Sequence, residues 1–146
     1  MTYTIENEKF SVSIDSKGAE LCSMRSKKTG IEYVWQADPH VWARHAPVLF
    51  PIVGRLKDKL YTVGGKEYHI TQHGFGRDLE FACTEQTDTT LAFTLTPNEY
   101  TKPMYPFDFA FTVRYVLEGN TLQKQHITAN HGDTEMYYEV GGHDAY

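Results

Sequence analysis

The chain has 146 residues, 40% of them hydrophobic and 23% charged, with a formal net charge of −5. This is the composition of one soluble globular domain and excludes a disordered chain; an acidic balance with no Lys/Arg cluster also argues against nucleic acid as a partner. No apolar run approaches the ~20 residues of a membrane-crossing helix, and the opening MTYTIENEKF lacks the basic-then-apolar order of a signal peptide, so a cytoplasmic protein without membrane contact is expected. Cys22 and Cys83 sit in strand-like surroundings with no CxxC and are read as buried thiols. HExxH and other close ligand spacings are missing, so no metal site and no cofactor are expected.

Aromatic residues make up 14% of the chain and, with Val and Thr, lean towards sheet. Lys9 to Ile14 alternates apolar and polar, which predicts a half-buried strand. A turn at Ser16-Lys17-Gly18 leads into a return strand over Ala19 to Met24, and Lys28-Thr29-Gly30 leads into a third over Ile31 to Trp35. From Gln36 to Lys59 the periodicity fails and Pro39, Pro47 and Pro51 interrupt any ladder; a connection this long in a compact domain usually carries function. Leu60 to Ile70 reads as a hairpin turning at Gly64-Gly65. Leu79 to Glu85 and Leu91 to Thr96 pair across Gln86-Thr87-Asp88. Phe107, Phe109, Phe111, Val113, Tyr115 and Leu117 alternate as the strongest strand, followed by Thr121 to Ala129 and a last strand over Met136, Tyr138 and Val140. The pattern predicts an all-β, antiparallel sandwich without a confident helix. Nothing closes the sheet after Gly141-Gly142, so the chain reads as one part of a larger sheet with an edge that needs cover.

Three stretches place functional side chains outside this alternation, each beside glycine at a strand end. They are Trp42 to Arg55, Gln72-His73-Gly74-Phe75-Gly76-Arg77-Asp78, and Gly141-Gly142-His143-Asp144. Taken singly, each has a structural explanation. Arg55 can pair with Asp58 or Asp78, His73 can bond its own turn, and Arg77-Asp78 can brace its loop. His40, His45, His69, His126 and His131 read as structural or solvent-facing, and Phe75 and Trp42 as core rather than as sugar-stacking rings.

Together the three stretches resemble a family. The run Ala46-Pro47-Val48-Leu49-Phe50-Pro51-Ile52-Val53-Gly54-Arg55-Leu56, then QHGFGRD, then Gly141-Gly142-His143 is similar to the aldose 1-epimerase (galactose mutarotase-like) superfamily, more narrowly its LacX-type branch. Gly18-Ala19-Glu20-Leu21, Glu32-Tyr33-Val34-Trp35, Tyr105-Pro106-Phe107 and Asn130 support the match, which runs in order along the whole chain. The resemblance implies a β-sandwich of the galactose mutarotase supersandwich type, with residues 1–146 as its N-terminal part and roughly its first half. It implies an isomerase of carbohydrate metabolism that interconverts the α and β anomers of an aldohexose by acid/base ring opening, without cofactor.

By position, the resemblance makes His143 the catalytic acid at the ring oxygen, with His73 and Arg55 binding the sugar and Arg77 as a weaker substrate-binding candidate. The family's general base is a glutamate for which no carboxylate of this chain matches. Asp144 stands where proline is the commoner residue after GGH. Little or no catalysis is therefore expected from this chain alone. The alternatives are a carbohydrate-binding protein without turnover, an inactive fragment, and a hexose-6-phosphate 1-epimerase using Arg44, Arg55 and Arg77. A homodimer is one way to bury the open edge.

Overall fold

The computed structural model describes residues 1–146. An antiparallel meander comes first: β1 (Thr2–Glu6), β2 (Phe10–Asp15) and β3 (Glu20–Ser26). Alternation sends Ile5, Val12, Ile14 and Leu21 inward, where all four are buried. After a long connection come the two-residue β4 (Val48–Leu49) and the hairpin β5 (Leu60–Val63) to β6 (Lys66–His69), which turns at Gly64 and Gly65 with φ of 58° and 74°. The larger sheet follows: β7 (Ala82–Gln86), β8 (Thr90–Leu95), β9 (Phe109–Glu118) and β10 (Thr121–Asn130), in spatial order β10-β9-β8-β7. Last is β11 (Gly141–Gly142), antiparallel to β4.

The two larger sheets share one core. Phe109, Phe111, Val113, Tyr115 and Leu117 point from β9 into it, as the period-two pattern requires. Tyr3 of β1 packs its ring edge-on to Phe93 of β8 at 5.2 Å, and the buried Tyr115 hydroxyl donates to the Ala19 carbonyl at 2.7 Å. Phe50, just after β4, lies at the centre of an aromatic cluster. It stacks on Phe111 at 4.2 Å and meets Phe75 and Tyr105 edge-on at 6.0 Å. Truncating such a ring costs about 3–5 kcal/mol in a packed core. The open backbone edge of the larger sheet is β10 on one side and β7 on the other.

Three elements differ from expectation. The strand over Ile31 to Trp35 is reduced to one bridge, Arg25 to Glu32. Two ladder bonds remain, Ser26 N–H to the Ile31 carbonyl (2.9 Å) and Tyr33 N–H to the Met24 carbonyl (3.0 Å); beyond them the Glu32 carboxylate takes the place of a strand partner, accepting from the backbone N–H of Met24 (2.7 Å) and Val34 (3.1 Å) and from the Ser23 hydroxyl. The strand over Met136 to Val140 does not form either. Its neighbour is Pro51, which has no N–H, and one backbone bond remains, Glu139 N to Pro51 O at 2.9 Å. Pairing resumes only at β11. The third difference is β1, an additional strand in which Tyr3 and Ile5 alternate inward with exposed Thr2, Thr4 and Glu6. The cysteines are unpaired and half-buried rather than buried. No helix is long and apolar enough to cross a membrane.

Candidate functional site

The QHGFGRD loop is built against Phe50. The Phe50 carbonyl accepts both the Phe75 and the Gly76 N–H at 3.0 Å, and Phe50 bridges Gly74 in parallel. Gly74 sits at φ 68°, and a β-carbon there would stand 2.2 Å from the Phe50 oxygen. Only glycine fits both demands. Phe75 is buried beneath the loop, in the core as expected. With Phe75 turned in, the preceding His73 is turned out, itself left-handed at φ 64°. Histidine is among the few side chains that tolerate this region.

Two backbone groups lock His73. Its N–H donates to the Gly54 carbonyl at 2.8 Å, and the Gly54 N–H donates to its Nδ1 at 3.0 Å. A backbone N–H can only donate, so Nδ1 must hold a lone pair and the neutral ring carries its hydrogen on Nε2. Burial lowers the pKa of His73, and the nearby charges of Arg77 and His143 lower it further. Nε2 lies 3.2 Å from the side-chain nitrogen of Gln72, whose Oε1 accepts from Arg55 at 3.3 Å. With this tautomer His73 Nε2–H and the Gln72 amide nitrogen are both donors and cannot bond each other, while the exposed Arg55 guanidinium keeps further N–H groups beyond the one given to Gln72. A ligand rich in hydroxyl oxygens supplies the missing acceptors.

His143 reaches this neighbourhood from a different element. The β4–β11 ladder continues beyond its two formal pairs: His143 N–H donates to the Pro47 carbonyl and Ala145 N–H to the His45 carbonyl, both at 3.1 Å. Glu20 fixes the other side of that ladder by accepting the N–H of His45 (2.7 Å) and Ala46 (2.8 Å). His45 is structural, with its Nδ1 2.6 Å from the Trp35 carbonyl. The His143 ring lies beside Trp42, centroids 4.9 Å apart, and is otherwise exposed. Trp42 is therefore the floor under an imidazole rather than core, and its carbonyl accepts the Trp35 indole N–H at 2.9 Å.

Arg77 points into its own loop and donates to the Gln72 carbonyl at 3.1 Å. Asp78 pairs more closely with Arg44, at 2.7 Å, than with Arg77, at 3.7 Å. Arg44 also donates to the Arg77 carbonyl at 3.4 Å. These three residues brace the loop, as the structural explanation of Arg77-Asp78 anticipated. Arg55 pairs with neither Asp58 nor Asp78 but turns to Gln72. Glu139 accepts the Val53 N–H at 2.9 Å and is committed to that loop. The residues missed as participants are Gln72, Gly54 and Trp42. Gln72 stood inside the quoted motif, and Gly54 was visible as a glycine just before a candidate arginine. The role of Trp42 depends on tertiary contact alone. No group of three or more His, Cys, Asp or Glu is placed to hold a metal ion.

A family model described as Aldose 1-epimerase matches residues 1–146. A galactose mutarotase related enzyme from Lactobacillus acidophilus is 48% identical with a TM-score of 0.96, over 99% of this chain and 48% of that one. A galactose mutarotase-like protein from Lactobacillus casei is 37% identical with a TM-score of 0.94, over 97% and 48%. The chromosomal LacX protein of Lactococcus lactis is 33% identical over 152 aligned positions, covering 100% of this chain and 50% of its own length. The chain thus spans about half the length of the curated relatives it matches.

Proposed function

The chain belongs to the aldose 1-epimerase family, and from that premise we propose that it supplies the sugar-binding and proton-donating side of a mutarotase site. Its substrate class is a free aldohexose, interconverted between α and β anomers. The observation that carries this reading is the cluster of Arg55, Gln72 and a tautomer-locked His73 near His143, in which His73 Nε2–H and the Gln72 amide N–H groups have no acceptor and Arg55 spends one N–H on Gln72 Oε1.

The chemistry divides as follows. A base takes the proton from the anomeric hydroxyl, the C1–O5 bond breaks, and the electron pair on the ring oxygen receives a proton from His143. Rotation about C1–C2 and the reverse steps close the ring as the other anomer. Histidine suits the acid because it exchanges its proton near neutral pH, and a positioned acid of this kind contributes about 10²–10⁴-fold. His73 Nε2–H and Arg55 hold sugar oxygens in place. The base is not among these residues: Glu139 and Asp78 are both taken up by neighbours. Residues 1–146 then form the N-terminal part of one β-sandwich domain, and this chain alone binds sugar without turning it over. A neutral sugar fits better than a phosphorylated one, because Arg44 and Arg77 are engaged with Asp78 and with the loop backbone.

The test is polarimetry of freshly dissolved α-glucose and α-galactose. The chain alone should leave the spontaneous rate unchanged. A fusion of residues 1–146 to the remaining half of the Lactobacillus acidophilus relative should accelerate it, and His143→Ala in that fusion should abolish the gain. A folded but inert fusion, or full rate without the imidazole, would refute the assignment.

A further inference from the structure

His143 has little of its own to hold it. Its ring is exposed, it lies just past the two-residue β11, and its backbone N–H donates to the Pro47 carbonyl. The residue after it is tied to another sheet through its side chain. Asp144 folds its carboxylate back beneath Gly142, whose β-carbon position lies 3.5 Å from Asp144 Oδ2. There it pairs with Lys124 Nζ at 2.7 Å.

Lys124 belongs to β10 and stands opposite Tyr115 of β9. Directly paired residues share a sheet face, so Lys124 projects on the same side as the buried Tyr115. Its side chain is only 13% exposed. The same ammonium also reaches the Ala46 carbonyl at 3.4 Å. One cation therefore spans both strands of the short ladder, β11 through Asp144 and the segment before β4 through Ala46, and fastens them to the ten-residue β10. A mostly buried ammonium must keep its partners or leave its site.

We propose that Lys124 and Asp144 are positioning residues that set the place of the His143 imidazole by tying the Gly141–Ala145 segment to the larger sheet. This rests on the reading of His143 as the acid, and neither residue needs to touch substrate. Without the pair, the segment keeps only its backbone bonds, the β4–β11 pairing with its extensions at His143 and Ala145 and the Trp35 N–H to the Ala145 carbonyl at 3.0 Å, and the ring shifts over Trp42.

The test uses the 146-residue chain in solution and reads position rather than turnover. Isotope-labelled chain gives the His143 ring C–H signal, displaced by the ring current of Trp42, and the amide exchange rates of His143 and Ala145. In Lys124→Met and, separately, Asp144→Asn, the ring signal should move towards that of a free histidine. The two amides should exchange on the order of tenfold faster, while β8 and β9 amides keep their rates. Lys124→Arg should restore both readouts. If β8 and β9 also lose protection in Lys124→Met, the arginine variant decides. Restored His143 signals in that variant support the tether, and unrestored ones refute it. Unchanged His143 signals in the folded Asp144→Asn chain would also overturn it. A normal response here with no effect of His143→Ala on the fusion's mutarotation would instead fault the catalytic assignment and leave the tether standing.

Discussion

The two histidines of the candidate site are delivered by opposite means. His73 sits in a loop whose backbone is held in left-handed geometry at two successive residues, with the following glycine pressed against Phe50 and the imidazole clasped by Gly54. His143 follows a two-residue strand, with Trp42 beside its ring and an ion pair one residue away. The first arrangement fixes both the position and the tautomer, as suits a group that orients a sugar. The second leaves the ring exposed, which the proposed role of His143 as proton donor requires. Rigidity in the first is inseparable from the core, because the same Phe50 carries the loop and anchors the aromatic cluster. In the second the contacts are local: the Pro47 carbonyl, the Trp42 ring and the Lys124–Asp144 pair.

The sharpest way to break this contrast is to place the same methyl group in each region. Gly74→Ala should cost about 3 kcal/mol or more, since it combines a disfavoured φ with a clash against backbone that cannot yield. Denaturant unfolding measures this, and a loss below about 1 kcal/mol would mean that the loop is not anchored on Phe50. Gly141→Ala should cost about 1 kcal/mol, because its new β-carbon meets at 3.0 Å the end of the Val53 side chain, which can turn aside. Equal costs at the two positions would erase the distinction.

A pH series sharpens the His73 side. Its pKa in the folded chain is lowered from 6.5, so the unfolded chain takes up the proton first. Stability is complete above 6.5 and declines as pH falls through that value towards the folded pKa, below which it declines no further on this account. His126 shifts in the same direction through burial, with Lys124 adding to it. His73→Asn tolerates the left-handed backbone and keeps an acceptor near Gly54, but cannot titrate. It should flatten part of the acid slope and leave the share of His126. An unchanged slope would show that His73 is not held neutral by the fold. The smallest effect on stability is expected at Arg55→Ala, within about 0.5 kcal/mol because the side chain is exposed. The same change should weaken sugar binding by roughly tenfold or more, measured by titration, through loss of a charged donor.

Much of the fold was legible because its strands alternate strictly: Phe109 to Leu117 could be placed on the core face from spacing alone, and Gly64-Gly65 marked its own hairpin. The strand expected over Ile31 to Trp35 failed for a reason that alternation cannot carry, a carboxylate at Glu32 bonding to backbone in place of a neighbour. Met136 to Val140 failed because of its partner, Pro51, distant in sequence. For the site, the residue types at His73, Arg55 and His143 were visible through their glycine-flanked motifs. Their supports were not. The clasp of Gly54 on His73 joins positions 19 apart in the chain, and the pairing of Lys124 with Asp144 joins positions 20 apart. Neither pair leaves a periodic trace.

The most direct measurement follows the histidine ring signals of the 146-residue chain by NMR as an aldohexose is added. On this account the signals of His73 and His143 move together on one saturation curve, and those of the exposed His69 and His131 stay in place. Sugar that saturates the chain without moving His73 and His143, or that moves only the remote histidines, would contradict the placement of the site.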